Sequence, residues 1–312
     1  MTFIDDSISK MKSPANMHII CIDITNRCNL GCSNCTRLLE NQEGYWDMSL
    51  ENFRLACKSL RDFPGMIAII GGNPCMHRQF TEICKILVEE IPDKNKRGLW
   101  SNNVFKHTDL VVDTFGGFNL NPHGDKKGEM SLSEVYRRTN GKGNLYSGNS
   151  VHAPLLTAIK DLYGEVEMWD KISRCDINQK WSATVIENNG KLRAYFCEVA
   201  ASFDLARKTD YGFEVVPNWW NKPIQHFSSQ IKAFCPGCGA AARLKGTLDK
   251  DEVDTYTISN RDLIGISNKK NRINIEIDST KIEIDDKPIT FYAKSIEHFS
   301  TKLKRRIKNL IK

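Results

Sequence analysis

The stretch Cys28-Asn29-Leu30-Gly31-Cys32-Ser33-Asn34-Cys35 places three thiols within eight residues, just after a short apolar segment. Three thiolates at this spacing can bind three irons of a 4Fe–4S cluster, whose sites normally have four Cys ligands. The fourth iron would stay open to a small molecule. A structural zinc site needs four N or S ligands, and no further Cys or His follows within a dozen residues. A disulfide would leave one thiol over.

The composition of the 312 residues is that of a globular protein, with 40% hydrophobic and 9% aromatic residues. The start of the chain has no signal-peptide pattern, and no window is long and apolar enough for a membrane-spanning helix. Eleven cysteines without secretion favour a reducing cytoplasm, where clustered cysteines more often bind metal than form disulfides.

The net charge of +6 comes from the end of the chain. Residues 302–312 contain six of the 44 basic residues and no acidic one, and the remaining basic residues equal the 38 acidic residues in number. A nucleic-acid footprint is therefore not favoured. Residues 299–312 form a predicted basic amphipathic helix. It either contacts an anionic membrane surface, which would make the protein peripheral to the inner face of the membrane, or packs on the body as a solvated helix.

Hydrophobic patterning predicts alternating strands and helices. The predicted strands are 18–24, 66–70, 98–101, 115–120, a segment around Val151, and 165–169; the predicted helices are 50–60, 80–91, 131–138 and 154–163. Alternation of this kind indicates an α/β fold with a parallel sheet, here a partial (βα)6 barrel. The ligand site of such a barrel lies at the carboxyl ends of the strands, and the three cysteines follow the first of them.

The segment 25–35 resembles the cluster loop of radical S-adenosylmethionine (SAM) enzymes. Two further elements fit in order and spacing: Gly71-Gly72-Asn73-Pro74 resembles the Gly-Gly-Glu-Pro element that ends the second strand, and Ser101-Asn102-Asn103 resembles the ribose-contacting turn. The resemblance covers roughly residues 15–170. It implies a 4Fe–4S cluster on Cys28, Cys32 and Cys35, whose open iron binds SAM and releases a 5′-deoxyadenosyl radical.

The resemblance also assigns cofactor contacts and an electron source. It implies SAM binding by Gly71, Gly72, Asn73, Pro74, Ser101 and Asn102, and an electron donor such as flavodoxin or ferredoxin. Two residues depart from the family pattern. Asn73 replaces the usual glutamate, and Asn34 stands where an aromatic or His often covers the adenine. Tyr45 or Trp46 is expected to supply that surface, or else to pack in a loop or the core.

A second set of cysteines consists of Cys175, Cys197, Cys235 and Cys238. A predicted hairpin around Asn189-Gly190 brings the first two to one end, and Cys235-Pro-Gly-Cys238 is a tight metal-binding knuckle. Four cysteines suit either structural zinc or a fully ligated second 4Fe–4S cluster. Their order resembles the twitch form of the SPASM extension, which carries one auxiliary cluster.

The remaining chemistry-bearing residues have two interpretations each. Cys75 follows Pro74 and is a candidate hydrogen donor to a substrate radical, or a packed loop cysteine. His123 and His152 are candidate substrate contacts, or structural histidines. Cys21, Cys57 and Cys84 are interpreted as buried small residues.

These patterns predict a radical SAM core over 1–172, a twitch-like auxiliary cluster domain over 173–260, and a small β-hairpin with the basic helix over 261–312. The predicted activity is that of an oxidoreductase, either a dehydrogenase or an epimerase. It would abstract hydrogen from a hydroxylated small molecule or sugar, or from a lipid-linked glycan, with the second cluster as electron conduit. Only 27 residues precede Cys28, which leaves no room for a leader-recognition domain. The alternatives are a peptide maturase that uses a separate leader-binding partner, and a non-enzymatic zinc-binding interaction module.

Overall fold

The computed structural model describes residues 2–264, 273–277 and 294–295. The helices are α1 Phe3–Ser9, α2 Leu50–Ser59, α3 Phe80–Glu90, α4 Thr108–Thr114, α5 Lys126–Arg138, α6 Glu165–Ser173, α7 Asp176–Lys180, α8 Glu198–Arg207, α9 Ser228–Phe234 and α10 Ile258–Ile264. The strands are β1 Ile19–Asp23, β2 Met66–Ile70, β3 Arg97–Ser101, β4 Gly117–Leu120, β5 Asn144–Ser147, β6 Val151–His152, β7 Ala183–Asn188, β8 Lys191–Tyr195, β9 Phe213–Glu214, β10 Thr247–Leu248, β11 Val253–Tyr256, β12 Ile273–Glu276 and β13 Lys294–Ser295.

Six parallel strands form the centre of the described fold, in the order β5-β4-β3-β2-β1-β7. Antiparallel strands extend both edges: β8 and β9 beyond β7, and β13 beyond β5. The chain is thus an α/β protein with an open, partial βα barrel, as predicted. Because the six strands are parallel, the loops after β1, β2, β3 and β4 emerge at the same edge.

The first four predicted strands are confirmed as β1 to β4. In β1, every residue from Ile20 to Asp23 is buried, as expected for a parallel strand covered on both faces. The first two predicted helices are confirmed as α2 and α3. The Ser49 side chain caps α2 by accepting a hydrogen bond from the Asn52 N–H.

The fifth and sixth parallel strands are not those predicted. The fifth is β5, whereas Val151 belongs to β6, a short strand that pairs antiparallel with β10. Residues 165–169 were predicted to be the sixth strand, and this is wrong because they begin helix α6. Met168, Trp169 and Ile172 are buried at helical spacing, while Val166 is 66% exposed. The sixth parallel strand is β7.

The helix predicted over 154–163 is also wrong, because only a 3₁₀ turn forms, at Ile159–Asp161. Nearby carbonyls bind distant backbone instead: Leu155 accepts from the Gly239 N–H at 2.8 Å, and Leu156 from the Thr257 N–H at 3.3 Å. The helix predicted over 131–138 exists as α5 but starts earlier, at Lys126.

The predicted hairpin around Asn189-Gly190 is confirmed, since both residues have the positive φ that a tight hairpin turn requires (50° and 74°). Its first strand, β7, pairs with β1, so the central sheet extends past the predicted domain boundary at 172/173. Farther along, β12 pairs in parallel with β11. The second half of the predicted C-terminal hairpin and the basic helix over 299–312 lie outside the described residues. None of the described helices has the length and apolar character needed to cross a membrane.

Candidate functional site

The three-cysteine loop after β1 lies at the carboxyl edge of the sheet, and each of its cysteines is partly exposed. Backbone N–H groups donate to the sulfurs: that of Leu30 to Cys28, and those of Arg37 and Leu39 to Cys35. Burial raises the pKa of the Cys28 thiol to about 11, and the nearby Cys35 adds to that shift. Burial also raises the pKa of Cys35. These thiols need a metal to become thiolates, because a coordinated thiol is deprotonated outright.

The predicted glycine element runs beside the backbone that leads into this loop. The Gly72 N–H donates to the Thr25 carbonyl at 2.8 Å, and the Asn73 N–H to the Arg27 carbonyl at 2.7 Å. A Cβ on Gly71 would lie 2.3 Å from the Thr25 oxygen, and one on Gly72 would lie 2.3 Å from the Arg27 oxygen. The glycines are therefore needed for close packing against the chain itself. Their contact with SAM remains a prediction.

Asn73 joins the ends of β2 and β3. Its buried amide nitrogen donates to the Asn102 side-chain oxygen, and its amide oxygen accepts from the Cys75 N–H and the Ser101 hydroxyl, both at 3.1 Å. The Asn102 amide in turn donates to the Cys28 sulfur at 3.6 Å. Three of the predicted cofactor residues thus form one polar network beside the three-cysteine loop. An amide suits this position because it both donates and accepts, whereas an ionised glutamate only accepts.

Pro74 starts a 3₁₀ turn, Pro74–Met76, that places Cys75 in the hydrophobic core. The Cys75 sulfur lies 4.0 Å from the Ser101 hydroxyl, and burial raises the pKa of the thiol. Packing accounts for this cysteine, and its role as a hydrogen donor remains a prediction.

Asn34 has a structural role in the three-cysteine loop. Its φ is +46°, a left-handed conformation that Asn tolerates better than most residues. Its N–H donates to the Asp254 carboxylate at 2.9 Å, and its side-chain oxygen accepts from the Thr255 N–H at 3.0 Å. The neighbouring Ser33 N–H donates to the Asp249 carbonyl at 2.8 Å. The three-cysteine loop is thereby attached to the chain segment 249–255.

The two aromatic candidates for the adenine surface differ in exposure. Tyr45 is 72% exposed, and the Arg27 guanidinium lies 4.9 Å from its ring centre. Trp46 is partly buried against the core and donates to the Gln42 side chain at 3.0 Å. Tyr45 therefore offers the accessible ring face of the two.

The second set of cysteines lines one cavity, here called the four-cysteine cavity. Cys175 directly precedes α7, Cys197 directly precedes α8, and Cys235 and Cys238 follow α9. Burial raises the pKa of all four thiols. The rest of the wall is mostly apolar and includes Met11, Ile172, Phe196, Phe203 and Phe234.

The metal that these four thiols would hold stays a prediction. Four cysteines suit either a structural Zn²⁺ or a fully ligated 4Fe–4S cluster. The Ala240 N–H, 3.5 Å from the Cys238 sulfur, is suited to donate to a cluster ligand.

Arg207 lies against the four-cysteine cavity as a largely buried cation. One of its terminal nitrogens donates to the Ala233 carbonyl at 2.9 Å, and its guanidinium stacks over Phe203 and Phe234. Its Nε has no hydrogen-bond partner. Burial lowers the pKa of Arg207, and Cys238 and Asp204 oppose that shift. A ligated set of thiolates would add negative charge next to this guanidinium.

A buried ion triad connects the two sets of cysteines. Arg37 Nε donates to Asp23 at 2.8 Å, and a terminal nitrogen of Arg37 lies 3.3 Å from Glu198. Arg37 is two residues after Cys35, and Glu198 directly follows Cys197. Burial raises the pKa of Asp23, although Arg37 opposes the shift. One side chain therefore spans from the loop of the first site to the ligand segment of the second.

Both candidate histidines lie next to the three-cysteine loop. His123 follows β4 and bonds to Asp249, while His152 bonds to the Ser33 carbonyl. The sequence pattern predicts the two histidines but not their partner Asp249. It also does not predict the charged side chains around the two cysteine sites, namely Arg207, Arg37, Asp23 and Glu198. Most of these residues give no local signal, because their partners lie far along the chain, and Glu198 is marked only by its position after a predicted ligand.

No protein-family model and no curated protein matches the sequence. Several solved structures are similar to it, among them the following three. BtrN in complex with AdoMet and 2-DOIA is 17% identical, with 71% of this chain and 88% of that chain covered and a TM-score of 0.47. BtrN in an open conformation is 14% identical, with 71% and 86% covered and a TM-score of 0.40. SuiB of Streptococcus suis bound to S-adenosylmethionine is 18% identical, with 31% and 23% covered and a TM-score of 0.27. Identities and TM-scores this low carry no further conclusion, so the fold is assigned from the order of the strands in the sheet.

Proposed function

We propose that this protein is a radical SAM oxidoreductase that oxidises a carbinol carbon of a hydroxylated small molecule or sugar. Cys28, Cys32 and Cys35 would hold a 4Fe–4S cluster with one open iron, and the residues from Gly71 to Pro74, with Ser101 and Asn102, would hold SAM. When bound and reduced, SAM supplies a 5′-deoxyadenosyl radical that removes a hydrogen atom from the substrate. A donor such as flavodoxin or ferredoxin would provide the reducing electron.

The observation that carries the proposal is the presence of two unlike cysteine sites in one molecule. The three-cysteine loop is partly exposed, lies at the ligand-binding edge of a parallel sheet and borders a network of asparagines. The four-cysteine cavity has enough thiols to ligate a cluster completely. A completely ligated cluster is suited to accept an electron, which makes oxidation the favoured net reaction over epimerisation.

The test begins with anaerobic reconstitution and measurement of iron and sulfide. We expect about eight irons per chain, which is two 4Fe–4S clusters. The loaded protein is then incubated with SAM, dithionite and deuterated probes: 2-DOIA, myo-inositol and glucose, each labelled at hydroxyl-bearing carbons. We expect deuterium in 5′-deoxyadenosine from at least one probe. A colourless protein that holds zinc, without iron or sulfide, would refute the enzyme and support an interaction module. Iron-loaded protein that cleaves SAM but takes deuterium from none of the probes would refute this substrate class and favour a peptide substrate.

A further inference from the structure

A second polar group of the molecule lies beside the three-cysteine loop and has no part in holding a cluster. His123, at the carboxyl end of β4, places its Nδ1 at 2.9 Å from the carboxylate of Asp249, which follows β10. The two residues are 126 positions apart in the sequence. A tertiary contact between an imidazole and a carboxylate is the arrangement that orients a general base.

The carboxylate of this pair is fixed on both of its oxygens. Asp249 Oδ2 accepts from the Ser150 N–H at 2.7 Å as well as facing His123, and Oδ1 accepts from the Lys250 N–H at 2.7 Å. Asp249 is almost completely buried. Because the carboxylate accepts, His123 Nδ1 is the nitrogen that donates. In the neutral ring the other nitrogen, Nε2, is then the one that carries the lone pair.

The pair is attached directly to the three-cysteine loop. The Asp249 carbonyl accepts from the Ser33 N–H at 2.8 Å, and the His152 Nδ1 lies 2.8 Å from the Ser33 carbonyl. The rings of His123 and His152 meet edge to face at 5.3 Å. Ser33 stands between the second and third cysteines, so the position of the pair relative to the loop is set by hydrogen bonds and not by a flexible linker.

The two histidines differ in a way that separates a structural from a chemical role. His152 is buried, and burial lowers its pKa to about 4, so it is neutral and serves the loop backbone. The side chain of His123 is 20% exposed, and its φ is +51°. His tolerates this left-handed conformation better than most residues do. The difference in exposure leaves His123, and not His152, accessible to solvent.

We propose that His123, positioned by Asp249, accepts the hydroxyl proton of the substrate during oxidation; this inference rests on the proposed function. For a carbinol, the C–H hydrogen atom goes to the cofactor-derived radical, the O–H proton goes to His123 Nε2, and the remaining electron leaves to a one-electron acceptor of the iron–sulfur class. The carbon–oxygen bond thereby becomes a carbonyl. The Asn121 side-chain oxygen accepts from the His123 N–H at 3.1 Å, and its amide nitrogen donates to the buried Ser150 hydroxyl at 2.8 Å, so the backbone of His123 is also held in place.

The first test needs no substrate. Cluster-loaded protein is treated with diethyl pyrocarbonate, which modifies accessible unprotonated imidazoles, and the modified histidines are mapped by mass spectrometry. We expect modification of His123 but not of buried His152, with exposed His18 as the reference. Modification of His18 without modification of His123 would show that Nε2 is not available and would overturn the proposal.

The second test compares the variants His123→Gln, His123→Gly and Asp249→Asn with His18→Gln as the matched control. With whichever of the three deuterated probes the wild type uses, we expect His123→Gln to lose about 10²-fold or more of the oxidised product. Iron content and SAM cleavage without substrate are measured in parallel, and the control His18→Gln should leave both unchanged. Added imidazole should restore product formation in His123→Gly, which it would not do for a merely structural residue.

Asp249→Asn should lower product formation and should not respond to imidazole, because the base is present but wrongly oriented. A wild-type product rate in His123→Gln would overturn the role of His123. If the wild type uses none of the three probes, the substrate class of the proposed function fails. The availability of His123 is then still decided by diethyl pyrocarbonate.

Discussion

The three-cysteine loop and the four-cysteine cavity differ in what borders their thiols, although both sets include partly exposed cysteines. The loop is bordered by amides, with Asn102 donating to Cys28. The cavity is lined mostly by apolar side chains, with Arg207 as a nearby cation. A polar border suits a site that must admit a charged small molecule, whereas an apolar wall suits a group that is already fully ligated. In the proposed function, the surroundings of the thiols therefore divide the two roles.

The sites also differ in how the chain assembles them. The loop gathers its three thiols within eight residues. The cavity takes its four thiols from the starts of α7 and α8 and from the segment after α9. The first site is therefore encoded locally, and the second exists only in the folded protein.

The largest expected effect follows from removing the loop thiols. The triple variant Cys28→Ala, Cys32→Ala, Cys35→Ala should form no 5′-deoxyadenosine and should bind about four irons per chain where the wild type binds about eight. Iron analysis and chromatography of the reaction check both values. Continued formation of 5′-deoxyadenosine would show that the loop does not hold the catalytic cluster.

Removing thiols from the four-cysteine cavity should lower both the thermal stability of the protein and its iron content. The double variant Cys197→Ala, Cys238→Ala should also bind about four irons. Its thermal midpoint should fall by roughly 10 °C, because the free energy of binding the metal contributes to the free energy of folding. The control is Cys84→Ala, which removes a core thiol outside both sites and should leave the iron content unchanged. An unchanged thermal midpoint in the double variant would contradict the proposed coupling of ligation to folding.

A variant of the buried ion triad tests the connection between the three-cysteine loop and the four-cysteine cavity. Arg37→Gln should lower the free energy of unfolding by about 3–5 kcal/mol, because it leaves Asp23 and Glu198 buried without their cation. This loss of unfolding free energy should become smaller as the pH falls. Burial raises the pKa of Asp23, so the folded variant takes up a proton there and loses one of its two unpaired buried charges. Urea unfolding at several pH values measures this.

The matched control for that variant is Arg137→Gln, which breaks an exposed pair with Glu134 and should change the free energy of unfolding by less than about 1 kcal/mol. Equal losses in the two variants, or a deficit in Arg37→Gln that grows on acidification, would contradict the role assigned to the triad.

The smallest expected effect concerns the potential of the second cluster. Arg207→Gln, made in the triple loop variant so that only the cavity cluster gives a signal, should shift the reduction potential to a more negative value. A nearby cation stabilises the extra electron, and local charge is one determinant of cluster potential. Potentiometric titration followed by electron paramagnetic resonance measures the shift. Arg207→Lys keeps the charge and should shift the potential less; a more positive potential in Arg207→Gln would refute the role of this cation.

Sequence reasoning reached the parts of the molecule that short patterns encode. The apolar runs of β1 and β2, the helix cap at Ser49 and the cysteine spacings are local, and the structure has each element where it was predicted. The prediction of a strand over 165–169 was wrong, because five residues fit the two-residue period of a strand as well as they fit a helical turn. Its helix is decided by buried positions farther along, such as Ile172.

The rest was decided by tertiary contacts. The carbonyls of Leu155 and Leu156 bind backbone that lies more than 80 residues later in the chain, which replaces the helix that local propensity predicts. The pairing of His123 with Asp249 and the contact of Arg37 with Glu198 are of the same kind. No window of sequence contains both partners, so no local pattern could show them.

The attachment of the three-cysteine loop to the segment 249–255 has a consequence for biosynthesis. The partners of Ser33 and Asn34 lie about 220 residues later in the chain. During translation, the three thiols leave the ribosome long before the backbone that fixes their loop has been made. A cluster inserted early would enter an unanchored loop. A cluster inserted after the segment 249–255 has been made would enter a loop that is already held in its final shape. The structure therefore favours cluster insertion after the synthesis of this segment.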